Sequence, residues 1–315
     1  MPPSILSKNV QLAMAPFMER YYGGGEILFC GNRSDLPAGD GSTPMYPLST
    51  PLTALQRLNA KTKRASVIFL LPGSAWNVDA ADWASATSTA DSFAICSLGH
   101  GNARASFTWT IAGSTWLLDT DNVAIDNCRL FLAGADAAGA ALTVAAPITI
   151  TGAGCTLRNN RVKFGFDADQ IVTVGITTTA AADQLTLEDN HCTGATAAEV
   201  TTFMDLIGCD DLVMRRNHFA GATSAVGVGI VRFATTASLN ITSEFNTFIN
   251  RKASSTAAVT GLAGVSGVSR EDMFHYLDNS STTPWITSPG IMCFYNPRTT
   301  NLAGEVGMIS TVVSA

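Results

Sequence analysis

Cys155-Thr-Leu157-Arg-Asn-Asn160-Arg-Val162, Leu185-Thr-Leu187-Glu-Asp-Asn190-His-Cys192 and Leu212-Val-Met214-Arg-Arg-Asn217-His-Phe219 are three copies of one form, apolar-x-apolar-x-x-Asn-x-apolar. Two looser copies flank them. Val123-Ala-Ile125-Asp-Asn-Cys128-Arg-Leu130 carries Cys in the Asn slot, and Ile241-Thr-Ser-Glu-Phe-Asn246-Thr-Phe248 lacks the second apolar residue. The slots at 128, 160, 190, 217 and 246 lie 32, 30, 27 and 29 residues apart, a fixed-period self-similarity that marks a repeat architecture. Apolar residues two apart mark a half-buried strand and not a helical stripe, so each copy reads strand, tight turn, strand.

A buried Asn recurring at one slot needs partners for its amide, and the same Asn of the next coil can supply them. The slots therefore predict a ladder of amides up the inside of a turn, ended by Cys128. With roughly 4.8 Å between stacked strands, a coil of about 30 residues holds three short strands and their turns. The predicted fold is all-β, a parallel β-helix. A second column supports the register: the residue two before the slot reads Asp126, Arg158, Glu188, Arg215, Glu244 and alternates in sign at every step. Stacked on the solvent side, such neighbours contribute a few tenths to about 1 kcal/mol per pair.

The composition is compatible. The chain has 315 residues, of which 14% are charged and 27 are Gly, and Thr, Ala and Ser fill much of the rest, which suits strands with small, hydroxylated outer faces. A solenoid of this length is one unit because each coil brings its own core. The net charge of −6 argues against a nucleic-acid or anionic-membrane binder, and no basic cluster stands out along the chain. Seven cysteines (Cys30, Cys96, Cys128, Cys155, Cys192, Cys209 and Cys293) are scattered and mostly occupy apolar strand slots. They read as buried thiols from a reducing cytosol, not as disulfides or metal ligands. The N-terminal Met1-Pro-Pro-Ser-Ile-Leu-Ser-Lys has no apolar core of an export signal, and no 18-residue apolar run occurs, so neither Sec export nor a membrane span is expected.

In chain order, residues 1–25 read as an arm. It has two prolines at its tip, a mixed segment from Val10 to Tyr22 good for a turn or two of helix, and a Gly23-Gly-Gly25 hinge. Such an arm is expected to order only against a neighbouring subunit or a partner. Residues 26–64 read as an N-terminal cap: a strand Glu26 to Cys30, a loop, and a helix opened by Thr50-Pro51 with Leu52, Leu55 and Leu58 on one face. Residues 65–267 form the β-helix. Residues 268–315 read as a C-terminal β module, with Met273 to Leu277, Ile291 to Tyr295 and Met308 to Val313 as strands packed across the last coil.

Candidate chemistry is sparse. Gly99-His100-Gly101 and Asp210-Asp211 are similar to motifs of β-helical polygalacturonases, but in the reverse order and 110 residues apart. Glycosidic-bond hydrolysis needs those groups on one strand face. His191 and His218 follow successive slots and should stack one coil apart; their neighbours Arg161 and Thr247 supply no third ligand, and the Arg disfavours a metal. Asp167, Asp169, Asp183, Glu199 and Asp205 are plentiful carboxylates without a paired spacing. Trp76, Trp83, Trp109, Trp116 and Trp285 read as core or subunit contact and not as a sugar platform. No catalytic, cofactor-binding or metal-binding residue is therefore assigned.

Taken together, the strand Ile27 to Cys30, the loop and helix ending at Ala60, Leu71-Pro72-Gly73, the Phe93 to Gly99 strand, the Asn-turn coils and the segment Asn301-Leu-Ala-Gly304-Glu-Val-Gly307 resemble the right-handed parallel β-helix proteins of tailed bacteriophages. The resemblance runs from about residue 26 to the end. It implies a structural virion protein: a homotrimeric capsid decoration (cement) protein, assembled in the host cytoplasm, that binds the major capsid protein and stabilises the shell. It would have no enzymatic activity, no cofactor, and no nucleic-acid or membrane partner. The alternative it implies is a tailspike or other host-polysaccharide binder, with or without depolymerase activity.

Overall fold

In the computed structural model the described residues are 8–32, 34, 35, 37, 39–59, 65–79, 92–134, 139–195, 200–223, 229–251, 258–276, 286, 290–300, 309 and 310. They form a parallel β-helix. Sheet 1 has ten strands, running from Ile27–Cys30 through Thr156–Arg158 and Thr186–Glu188 to Ile291–Phe294; sheet 2 also has ten, from Ala75–Val78 through Arg161–Lys163 and His191–Thr193 to Ile309–Ser310. Sheet 3 has six strands, from Trp116–Leu118 to Val259–Thr260. A small two-stranded sheet, Leu142–Val144 with Gln170–Val172, lies in the connection from sheet 2 to sheet 3. The aligned copies fall into register as read: Leu157 pairs with Ile125 and Leu187, and Val162 with Leu130 and Cys192. All six of those side chains are buried in one continuous interior column.

The turn between sheets 1 and 2 contains the amide ladder. Each slot Asn accepts, on Oδ1, the N–H and Nδ2 of the preceding slot. From Asn160 to Asn246 its own Nδ2 reaches back to the carbonyl three residues before that slot. Asn217 Oδ1 thus takes Asn190 N and Nδ2 at 3.0 Å each, while Asn217 Nδ2 donates to Leu187 O at 2.8 Å. Cys128 ends the side-chain ladder as expected, offering only its N–H to Asn160 Oδ1 at 2.9 Å. The residue before each slot turns the corner in the left-handed region, from Asn127 at φ 61° to Arg216 at 52° and Tyr295 at 53°.

At the other end the ladder runs two slots further than the sequence reading took it, to Asp272 and Asn296. Asp272 is a carboxylate in an amide column. Its Oδ1 accepts from Asn246 N and Nδ2, and its Oδ2 accepts the Ser243 and Ser269 hydroxyls at 2.6 Å each. This explains the apolar residue missing from the fifth copy: Ser243 stands where Leu187 and Met214 stand in other coils because it serves Asp272. Burial pushes the Asp272 carboxyl up, against the four donors that pull it down.

The strands after Gly267 differ from expectation. They do not pack across the last coil but continue it: Gly267–Arg270 and Ile291–Phe294 extend sheet 1, and Met273–Tyr276 and Pro297–Thr300 extend sheet 2, all in parallel. The change of pattern comes later, where Ile309–Ser310 pairs antiparallel to Pro297–Thr300. Asn301 to Gly307 lie outside the described residues.

The N-terminal expectation also needs correction. Residues 8–21 form a full helix, α1 (Lys8–Tyr21), and its surface is this chain's own sheet 1. Ala13, Met14, Phe17, Met18 and Tyr21 recur at helical spacing and lie on Phe29, Val67, Phe69, Ala94, Cys96 and Ala124, with Phe17 edge-on to Phe69 at 6.2 Å. The strands beneath have both faces covered, which is why Ser66–Leu70 and Phe93–Ser97 are near-continuous apolar runs while later strands alternate. The triple Gly is not a free hinge, since Gly23 N and Gly25 N both donate to Ala65 O at 3.1 Å. A Cβ on Gly23 would stand 2.8 Å from that of Ala65. The second helix, α2 (Pro51–Asn59), is capped by Thr50 Oγ1, which accepts Thr53 N at 3.1 Å. It inserts Ala54, Leu55 and Leu58 into the end of the interior, with Leu52 at its margin.

Candidate functional site

The residues with chemical potential are not brought together. His100 is exposed at the turn that leaves sheet 1, whereas Asp210 and Asp211 sit on the corner between sheets 3 and 1. That corner uses its carboxylates to hold backbone: Asp183 Oδ1 accepts Asp210 N at 2.9 Å, and Asp210 Oδ1 accepts Leu239 N at 2.7 Å. Asp167 Oδ1 accepts the N–H groups of Asp169 and Gln170. Asp205 is held by Arg232 through two parallel bonds. Glu199, Trp83 and Trp285 lie outside the described residues. Trp76, Trp109 and Trp116 are buried in the core, with Trp76 Nε1 on Ser49 O and Trp109 Nε1 on Pro147 O, both at 2.8 Å. Six cysteines are buried thiols and Cys293 is half-buried; burial raises Cys155 to about 11 and Cys209 to about 12.

An open groove of about 420 Å³ lies where the end of α1 leaves sheet 1, lined by Arg20, Tyr21, Asn122, Thr156, Arg158 and Glu188 among others. Its charged groups are engaged. Arg20 Nη1 and Tyr21 Oη reach buried Asp126 Oδ2 at 3.1 and 2.9 Å, latching α1 to the helix, and Arg158 pairs with Glu188 at 2.9 Å. Burial pushes the Asp126 carboxyl up, while Tyr21 and Arg20 hold it back down.

The outer face of sheet 2 is different. Register stacks Arg129, Arg161, His191 and His218 in one column and Phe131, Lys163, Thr193 and Ala220 in the next. The two imidazoles are stacked as expected, with ring centroids 4.7 Å apart and 11° between planes. Arg251 follows the strand Thr247–Asn250 near Lys163 and His218. Arg104 flanks the column, bonded to Asn159 O at 2.8 Å, with a buried Nε that has no partner. The Arg129 guanidinium lies 4.8 Å over Phe131 and Lys163 Nζ 5.3 Å over Phe166, while the two rings stack at 5.9 Å. Among the described residues, none of Arg104, Arg129, Arg161, Lys163 and Arg251 forms an ion pair.

The titration of these groups reflects the crowding. Burial first, and then Arg161, lowers His191; burial, then His191 and Arg251, lowers His218. Burial and Arg251 lower Lys163. In the linear sequence only Arg161 and Lys163 lie close together, while Arg104, Arg129 and Arg251 are one to three coils away from them. The signal that could have exposed the basic face was the register itself, applied to the residue after each slot. Among the described residues no group of three or more His, Cys, Asp or Glu is placed to hold a metal, and no described helix is long and apolar enough to cross a membrane. The chain matched no protein-family model and no curated protein.

Proposed function

We propose that this protein is a structural component of a tailed-phage virion: a capsid decoration protein that, as a homotrimer assembled in the host cytoplasm, binds the major capsid protein and stabilises the shell without enzymatic activity. The observation that carries this reading is how the fold uses its polar groups. Asn and Asp side chains are committed to the ladder, the corners and the α1 latch, as in a part built to be stiff, and a flat cationic face is left to meet something else. The resemblance of the Asn-turn coils and N-terminal cap to phage β-helix proteins points the same way. Reducing-compartment assembly is consistent with six buried thiols.

Imaging of virions labelled with an antibody to this chain tests the proposal. Label over the head is the expected result. Label at the tail tip would replace it with a tailspike or host-polysaccharide binder.

A further inference from the structure

We propose that the outer face of sheet 2, centred on Arg161 and Lys163 and flanked by Arg129 and Arg251, is the docking surface for an acidic protein surface. The choice of partner rests on the decoration reading; the existence of an anion-seeking face does not. Like charges directly opposite on neighbouring strands work against the fold. Arg129 and Arg161 are such a pair, at the strand spacing of roughly 4.8 Å, and Lys163 is added on the same strand. The chain has the means to avoid this, because on sheet 1 it alternates sign at the same spacing. An unneutralised cationic stripe on a protein of net charge −6 is therefore a local inversion, and a partner's carboxylates would relieve it.

The form of the face favours a protein over a polymer. It is a pleated sheet two side-chain columns wide, with Thr193 and Thr247, both half-buried, small enough for another surface to approach. The aromatic faces that would stack a base or a sugar are already closed: Phe131 and Phe166 lie on each other, under Arg129 and Lys163.

The test uses the full chain and two variants, Arg161→Glu and Lys163→Gln, with poly-L-glutamate, heparin and oligo-dT of matched charge number as probes, read by fluorescence anisotropy at low and physiological salt. Wild type should bind polyglutamate in a salt-dependent way and at least as well as the other two. Arg161→Glu should lose on the order of tenfold in affinity and gain thermal stability, because it restores alternation. Lys163→Gln should lose less. Polyglutamate binding that ignores both variants, or an Arg161→Glu protein that melts lower, would overturn the proposal; a clear preference for oligo-dT or heparin would overturn the choice of a protein partner. Binding to heads assembled without this chain separates the two readings. Heads bound equally by wild type and Arg161→Glu leave decoration standing and remove the stripe from it. Stripe-dependent polyglutamate binding without head binding leaves the stripe and removes decoration.

Discussion

On the outside of sheet 1, Asp126, Arg158, Glu188, Arg215, Glu244 and Arg270 stack with alternating sign, whereas on the outside of sheet 2 Arg129 and Arg161 stack on each other and then on His191 and His218. Both columns ride on the same parallel ladder with the same spacing, so strand pairing does not explain the difference. The first column neutralises itself: Arg158 pairs with Glu188 at 2.9 Å, Arg215 with Glu244 at 3.1 Å, and Arg270 reaches Glu244 at 3.7 Å. It departs from simple stepwise pairing in two places. Asp126 is taken by Arg20 and Tyr21 of α1, and Glu188 is shared with Arg216 at 2.5 Å. The second column has no such internal neutralisation among the described residues. A solenoid lets each coil choose its outer side chains almost independently of its core, so one face can serve register while another serves contact.

The largest expected effect comes from removing the register that both columns share. Asn217→Leu strips Leu187 O and Asn190 N of their buried partner and should destabilise by about 1 to 3 kcal/mol in a urea titration. A midpoint that does not move would mean that the ladder does not hold the coils in place. The comparison is sharpened next by making the same chemical change in both columns. Arg215→Glu puts a third carboxylate between Glu188 and Glu244 and should destabilise by about 0.5 to 1 kcal/mol, whereas Arg161→Glu should stabilise by a similar or smaller amount. Equal signs for the two substitutions would mean that the two columns carry their charges in the same way.

Acidity distinguishes the outer imidazoles from the inner carboxylate. His191 and His218 are lowered in the folded state, so the unfolded chain takes up protons first, and stability should fall as pH drops through the ordinary imidazole range. His191→Asn should flatten that limb. Asp272 has the opposite sign. Its folded carboxyl is raised, so its contribution is present at acid pH and lost as pH rises through the folded value; Asp272→Asn should remove that loss and be neutral or stabilising at pH 7. Melting temperatures from pH 4 to 8 would show both slopes, and an Asp272→Asn curve parallel to wild type would refute the assignment. The smallest effect is expected at the corner. Phe245 is half exposed at φ 58°, where Asn is better tolerated, so Phe245→Asn should stabilise by a few tenths of a kcal/mol, about what paired denaturation curves can resolve.

The slot Asn residues, the alternating charges, the Thr50-Pro51 helix start and most strand positions were legible because each depends on neighbours within one coil or on a fixed period. Even the last slot could have been read, since Ile291-Met-Cys293-Phe-Tyr-Asn296 repeats the form two periods after Asn246. Asp272 was obscured because Asp in place of Asn at the slot, and Ser269 in place of an apolar residue three before it, removed the two marks that define a copy. The docking of α1 could not be read from α1, whose apolar side chains state that it needs a surface without saying which one. That choice was made by strands Ile27–Cys30, Ser66–Leu70 and Phe93–Ser97, whose outer apolar residues meet only when the coils stack. The cationic face was hidden for the same reason. Arg161 and Lys163 share a strand, but Arg129 lies one coil before them and Arg251 three coils after, and only the folding of each coil onto the last brings all four onto one face. Local periodicity determined the fold from the sequence alone, because strand and turn preferences act within a few residues; the charge pattern of each surface was decided by tertiary structure, because Coulomb interactions act across coils that the sequence holds about 30 residues apart.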